Sequence, residues 1–375
     1  MRLRLGLSTR TLEPALCPAF DGLGVYTAAL LQHLPEQNIE VSGYAYAPGG
    51  DRGVLRHSLP LPRRYGRDLA ATLLPGAGRG LDVPVDVFHF TDHRVVRTRM
   101  PCVATVHDAI PLQHPEWMPG RWRGLKNLLL QRTIATADWF VAVSHFAVGE
   151  LCEAYRLPAD RISVVPNGID ESWLAPPPAD ADERRRQWQL PENPYFLFVG
   201  TFQPRKNLDR ILAAYAALPS AVRRHHPLVI VGREGWGCDA TVARLRSMRQ
   251  SGEAVHWIQG LRDRETLRAI YAGAAALVFT TLHEGFGIPV LEAFASRAPV
   301  ITSNTTSLPE VAGDAALLVN PTDVEAISHA MQRLAEDVEL AASLRDRGWR
   351  RAGEFRWSAT AAGLAKVYRD LAGRA

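Results

Sequence analysis

No run of 18 or more apolar residues occurs in this chain, so no segment of it reads as a membrane-spanning helix. Lysine is scarce as well. Only Lys126, Lys206 and Lys366 are present, nearly all the basic charge is arginine, and the formal net charge is a modest +4. Coding bias in the source genome is the simplest cause, although arginine also suits phosphate because its fork donates two parallel hydrogen bonds. The four cysteines (Cys17, Cys102, Cys152 and Cys238) are scattered, with no CxxC pair and no metal-type spacing to histidine. They read as reduced thiols of a cytoplasmic protein. There is no low-complexity tail. A third glycine is missing too: "DGLGVYTAALLQHL" (21–34) carries Gly22 and Gly24, but Thr27 stands where G-x-G-x-x-G would close. That speaks against a dinucleotide-dependent dehydrogenase. The opening "MRLRLGLSTR" is too short in its apolar part for a signal peptide and reads as a first β-strand.

What is present is a chain of 375 residues, 47% of them hydrophobic, which predicts two globular domains with full cores. Short apolar runs recur in both halves: "LRLGLS", "IEVSGYAY", "VDVFHF", "CVATVHD", "WFVAVS" and "ISVVP", then "YFLFVGT", "PLVIVG", "VHWIQG", "ALVFTT", "APVITS" and "AALLVN". Several are near-continuous, as expected of parallel strands buried on both faces. Helical stretches such as "NLDRILAAYAAL" lie between them. The alternation predicts an α/β protein of two doubly wound units. A run of three prolines followed by mixed charge in "LAPPPADADERRRQWQLPENP" (174–194) suggests an interdomain linker. Its Asp180-Ala181-Asp182 is the one D-x-D of the chain and reads as solvated linker rather than as a metal–diphosphate site.

In open α/β sheets ligands sit beyond the carboxyl ends of the strands, so the residues just after each strand matter most. After "YFLFVG", which ends at Gly200, come Arg205 and Lys206, followed by a helix with Asn207 as its expected cap. Two cations beside a helix start make a receptor for a diphosphate. After "AALVFTT" comes "LHEGFGIPVLEAFASRA". Pro289 suits a first helical turn. Gly285 and Gly287, flanking Phe286 and followed by Ile288, let backbone amides approach a ligand. Glu292, expected in the first turn, can accept two hydrogen bonds from a vicinal diol, and Glu284 can meet a second polyol. In the first half, Gly22 and Gly24 open a helix after the first strand. His107 and Asp108 stand in "VHDAIPLQHPEW" at the end of another, and "VVPNGID" reads as a strand with an Asn-Gly turn.

Together these residues resemble glycosyltransferase family 4, the retaining enzymes of the GT-B fold. The likeness runs over most of the chain. It is strongest in "FVGTFQPRKNLDRILAAY" and "HEGFGIPVLEAFASRAPVITSNTTSLPEVAGDAALLVNPTD". "VHDAIPLQHPEW" with "VSHFAVGEL" is most similar to bacterial mannosyl- and rhamnosyltransferases of O-antigen and exopolysaccharide assembly. The resemblance implies two Rossmann-like domains facing a central cleft. Residues 1–178 would bind the acceptor, residues 190–356 would bind a nucleotide-sugar donor, and a last helix near 357–375 would cross back to the first domain. Arg205 and Lys206 would neutralise the donor diphosphate, Glu292 would hold the ribose, and Glu284 the transferred sugar. Amides around Phe286 and Gly287 would contact sugar or phosphate. Gly24 would lie near the diphosphate and His107 beside the anomeric centre. The base would lie near Leu261 to Asp263.

The expected donor is GDP-mannose, with a UDP-sugar or GDP-rhamnose as the alternative. The acceptor is a glycan or a polyprenyl-diphosphate-linked oligosaccharide, and neither a metal nor a nucleic acid is expected. Other readings are an epimerase or hydrolase of nucleotide sugars, or a silent nucleotide-sugar-binding regulator. "EWMPGRWRGLKNLLLQRTI" (116–134) is basic and amphipathic. With Trp117, Arg121, Trp122, Arg123, Lys126 and Arg132 around Leu125, Leu128 and Leu129, it suits either packing on its own domain or peripheral contact with an inner membrane.

Overall fold

The computed structural model describes residues 2–13, 22–47, 58–74, 80–118 and 123–374. Cys17, Arg121, Trp122 and the side chain of Arg123 lie outside the described residues. The chain divides into two units, Met1–Gly168 with Trp357–Ala375, and Ile169–Arg356.

The first unit holds a parallel sheet of β1 (Leu3–Ser8), β2 (Ile39–Ala45), β3 (Leu59–Pro60), β4 (Val87–Phe90), β5 (Cys102–Thr105), β6 (Trp139–Ala142) and β7 (Ile162–Val164). Their order is β3-β2-β1-β4-β5-β6-β7. Every residue of β4 and β5 is buried, which explains why these strands read as unbroken apolar runs. The sheet is covered on one side by the helices Gly22–His33 and Trp357–Ala372. Leu364, Tyr368 and Leu371 of the latter pack in one core with Leu5, Leu7, Val87, Val103 and Val141.

The second unit repeats the plan with β8 (Tyr195–Val199), β9 (Leu228–Val231), β10 (Val255–Ile258), β11 (Ala274–Phe279), β12 (Val300–Ser303) and β13 (Leu317–Val319). These too are parallel, in the order β10-β9-β8-β11-β12-β13. In both sheets the strand order reverses once, between β1 and β4 and between β8 and β11. The loops leaving those strands therefore diverge to opposite faces and leave a crevice at their carboxyl ends.

Two expectations are corrected. Residues 174–194 are not a linker between units. They belong to the second unit and contain the helix Ala181–Gln187, whose Arg185 donates to the Ala269 carbonyl at 3.2 Å and whose Arg184 pairs with Asp263 at 2.6 Å. The D-x-D carboxylates are taken up locally by Arg184 and Arg185. The Asn167-Gly168 pair makes no turn. The chain runs on into Ile169, whose amide donates to the Phe355 carbonyl at 3.0 Å, and Asn167 is buried.

Candidate active site

The loops after β8 and β11 meet at the second unit's reversal point. The Leu282 amide donates to the Arg205 carbonyl at 2.7 Å, and the Asn207 side chain donates to the carbonyls of Thr280 (2.8 Å) and Pro321 (2.7 Å). Asn207 therefore does not cap the helix Leu208–Ala217 with its side chain, as the sequence suggested. It sits in the left-handed region at φ 59° and stitches the two loops together instead.

That stitching brings three charges together. Arg205 Nη1 and Lys206 Nζ lie 2.8 and 2.6 Å from one oxygen of Glu284, Oε1. Lys206 also lies 4.9 Å from the centroid of the Phe279 ring. Burial alone would raise the Glu284 pKa, but the two cations outweigh it and hold the carboxyl below its ordinary range. Among the described residues nothing bonds to Oε2. The loop's shape is fixed from behind by Ser307, whose hydroxyl reaches the carbonyls of Glu284 (2.8 Å) and Phe286 (3.1 Å). The Phe286 side chain is buried against Phe355 with centroids 5.8 Å apart, so only its backbone is offered to a ligand.

Gly287 stands at φ 105°, where a Cβ would meet Leu308 Cδ2 at 2.6 Å. It begins the helix Ile288–Ala295 with no side-chain cap, so the positive end of the helix dipole points out of the loop. Because the helix starts at Ile288, Glu292 lies in its second turn, not its first. Tyr271 donates to Glu292 Oε2 at 2.9 Å, and no described group bonds to Oε1. Burial raises the Glu292 pKa, with the Tyr271 hydrogen bond and the Arg264 charge opposing it. Each glutamate is thus held by one oxygen and presents the other.

Leu261 is half-buried on the loop after β10, while Asp263 caps the helix Arg264–Ala272 through the Thr266 amide at 2.9 Å and pairs with Arg184. Its carboxylate is engaged within the protein. Gly200 follows β8 at the root of the cation loop.

In the first unit, Gly22 is exposed and Gly24 buried at the start of the helix Gly22–His33. β5 ends at Thr105, so His107 stands in the loop beyond it rather than on the strand. His107 Nε2 lies 3.1 Å from the Thr91 carbonyl. A carbonyl can only accept, so the proton is on Nε2; burial lowers the ring's pKa and keeps it neutral, leaving Nδ1 as an acceptor. Asp108 Oδ1 accepts from the Ile110 amide at 3.1 Å, an engagement within its own turn. Tyr271, Ser307 and Thr91 carried no mark in the sequence, since their importance comes from neighbours distant in the chain.

Among the described residues no three of His, Cys, Asp and Glu gather as metal ligands. A cavity of about 400 Å³ between β6, β7 and the C-terminal helix, lined by Trp139, Lys366 and Arg374 among others, contains none of the candidate residues.

Residues 180–351 match the family described as Glycosyl transferases group 1, and residues 20–173 match Glycosyltransferase Family 4. The chain is 35% identical over 273 residues to the O-antigen chain mannosyltransferase B of Escherichia coli, covering 72% of this chain and 69% of that one. It is 27% identical over 336 residues to the serotype-specific mannosyltransferase WbdA of Escherichia coli, covering 84% of this chain and 40% of that relative, whose length it therefore spans by less than half. Among solved structures, the sucrose-phosphate synthase of Thermosynechococcus elongatus superposes with a TM-score of 0.75 at 21% identity over 100% of both chains, a likeness of fold.

Proposed function

The chain belongs to glycosyltransferase family 4, retaining enzymes of GT-B fold, and from that premise we propose that it transfers mannose from GDP-mannose to a hydroxyl of a glycan or lipid-linked acceptor in surface-polysaccharide synthesis. The observation that carries the reading is the pair of half-held glutamates at one reversal point, one of them clamped by Arg205 and Lys206. The mannose assignment is supported by the relatives, two of which are named mannosyltransferases. A UDP-sugar or GDP-rhamnose donor is the alternative.

In this reading the donor's diphosphate lies over the start of the helix Ile288–Ala295, beside Arg205 and Lys206. Glu292 Oε1 accepts from the ribose diol, and Glu284 Oε2 from a hydroxyl of the transferred sugar. No group is assigned as an enzymic nucleophile, so retention is written as a front-face substitution. The glycosidic C–O bond to the diphosphate breaks through an oxocarbenium-like state while the acceptor oxygen attacks the same face, and a β-phosphate oxygen takes the acceptor's proton. The protein's largest contribution is stabilising charge on the leaving group, which two cations and a helix start supply without a metal. His107, neutral and with Nδ1 open, is assigned as an acceptor for a substrate hydroxyl.

The test is turnover and binding across GDP-, UDP- and ADP-sugars, with and without EDTA. GDP-mannose turnover that survives EDTA is the expected result. Tight binding of a UDP-sugar alone overturns the donor, and donor consumption without any acceptor turns the reading toward a hydrolase or epimerase.

Peripheral membrane contact is proposed for the helix Arg123–Ile134. Leu125 and Leu128 are 53% and 43% exposed there, beside the exposed Lys126 and Arg132. Among the described residues no helix is long and apolar enough to cross a membrane. Co-sedimentation with anionic vesicles at low salt is expected, and its absence ends this assignment.

A further inference from the structure

Behind His107 the first unit contains a chain of polar side chains with no exposure at all: Tyr26, His89, Thr105 and Tyr368 are each fully buried. Tyr368 Oη lies 2.7 Å from His89 Nδ1, His89 Nε2 lies 2.8 Å from Thr105 Oγ1, and Thr105 Oγ1 lies 2.9 Å from Tyr26 Oη. The Tyr26 ring then meets the His107 ring edge-to-face, with centroids 4.9 Å apart and planes at 89°. The chain thus runs from the C-terminal helix through β4 and β5 to the helix Gly22–His33, and ends on the candidate histidine.

Its hydrogen bonds can run in two directions. Burial lowers the His89 pKa to about 3, so the ring is neutral and has one donor and one acceptor nitrogen. With Nδ1 bare, Tyr368 donates to it, Nε2–H donates to Thr105 and Thr105 to Tyr26; with Nδ1 protonated, all three bonds run the other way. Four protons, one each on Tyr368, His89, Thr105 and Tyr26, share three hydrogen bonds, so one end hydroxyl, that of Tyr368 or that of Tyr26, keeps a proton that the chain does not use. In both directions each of the four side chains is bonded to its neighbour, which holds their atoms in one arrangement.

We infer that Tyr26 is a positioning residue for His107, and that Thr105, His89 and Tyr368 hold Tyr26 in place. Among the described residues the His107 ring has one hydrogen-bond partner, the Thr91 carbonyl, which fixes one ring nitrogen but leaves rotation about that contact. The Tyr26 ring blocks that rotation and so directs Nδ1. This rests on the role given to His107 above, and the test separates the two.

The test is nitrogen NMR of histidine-labelled full-length protein, alongside donor and acceptor kinetics, for Tyr26→Phe, Tyr26→Leu and Tyr368→Phe. Tyr26→Phe keeps the ring against His107 and removes the hydroxyl; Tyr26→Leu removes both. The expected result is a His107 signal that is a single Nε2–H tautomer in the parent and a mixture in all three variants, most mixed in Tyr26→Leu. With it, kcat falls on the order of ten- to a hundredfold, the scale set by small misplacements of a catalytic group, while the donor KM is unchanged. If Tyr26→Leu fails to fold, the two phenylalanine variants carry the test. An unchanged His107 signal in folded Tyr26→Phe and Tyr368→Phe overturns the inference. Wild-type turnover by His107→Ala together with mixed tautomers would remove the role of His107 and leave the positioning intact.

Discussion

Seven residues lie between Glu284 and Glu292, and their carboxyls are shifted in opposite directions. In Glu284, burial is outweighed by Arg205 and Lys206, and the folded pKa falls below the ordinary glutamate range. Its contribution to stability is present above that range and is lost as pH falls through the folded value. In Glu292 burial prevails over Tyr271 and Arg264, and the folded pKa is raised. Ionising it therefore costs stability as pH rises through that value. A diol that donates to the carboxylate lowers the pKa and binds more tightly once the group is ionised. Nucleoside diphosphate affinity should accordingly rise with pH just above the ordinary glutamate range, and Glu292→Gln should flatten the slope. Calorimetric titrations from acidic to neutral pH read this directly, and a slope that persists in Glu292→Gln sinks it. Arg205→Ala or Lys206→Ala removes one leaving-group cation and is expected to cost roughly 2.7–4 kcal/mol in kcat, the scale of a lost oxyanion donor. The sequence placed all four residues by their position after strands. It did not reveal that both cations converge on Glu284 Oε1, because that requires β8 and β11 to be neighbours, a fact of topology rather than of local pattern.

At the scale of elements, the loop entering the helix Ile288–Ala295 depends on Gly287. An alanine there adds backbone strain at φ 105° and a Cβ 2.6 Å from Leu308. About 1–3 kcal/mol is the expected cost of such a conformation, and the donor site should weaken with it. Thermal unfolding and donor binding of Gly287→Ala check this; wild-type values for both would sink it. Asp323 offers the contrasting case. Its Oδ1 accepts from the Ala326 amide at 2.9 Å at the start of the helix Val324–Glu336, and it is bonded to none of the three charges. Asp323→Ala should lose about 1 kcal/mol of stability and no activity. Elements with buried cores were legible: the apolar runs named in both halves became strands β1, β2 and β4–β13. β3 was not, since Leu59 and Pro60 are both exposed and leave no apolar pattern to read. Residues 174–194 were misread because prolines and mixed charge resemble a linker, whereas the helix Ala181–Gln187 uses those charges to dock on the helix Arg264–Ala272.

On the scale of the whole molecule, the first unit is discontinuous in sequence, since its core is completed by the helix Trp357–Ala372 at the far end of the chain. Trp357, Leu364, Tyr368 and Leu371 are 3%, 0%, 0% and 8% exposed, and Tyr368 also closes the polar chain to His89. At about 1.5–3 kcal/mol for each large side chain buried, the contribution of this helix is comparable to the whole stability of an ordinary domain. The second unit has no such dependence, because residues 169–356 are contiguous and contain both loops of the charge cluster. Two fragments therefore behave differently. Residues 169–356 should unfold cooperatively and bind the nucleoside diphosphate. Residues 1–168 alone should expose the face of β1, β4 and β5 that the helix covers, lack a cooperative transition, and regain one when a peptide of residues 357–374 is added. Calorimetry of each fragment, with and without the peptide, decides the matter. A cooperative transition of residues 1–168 without the peptide would show that the C-terminal helix decorates this unit rather than completes it.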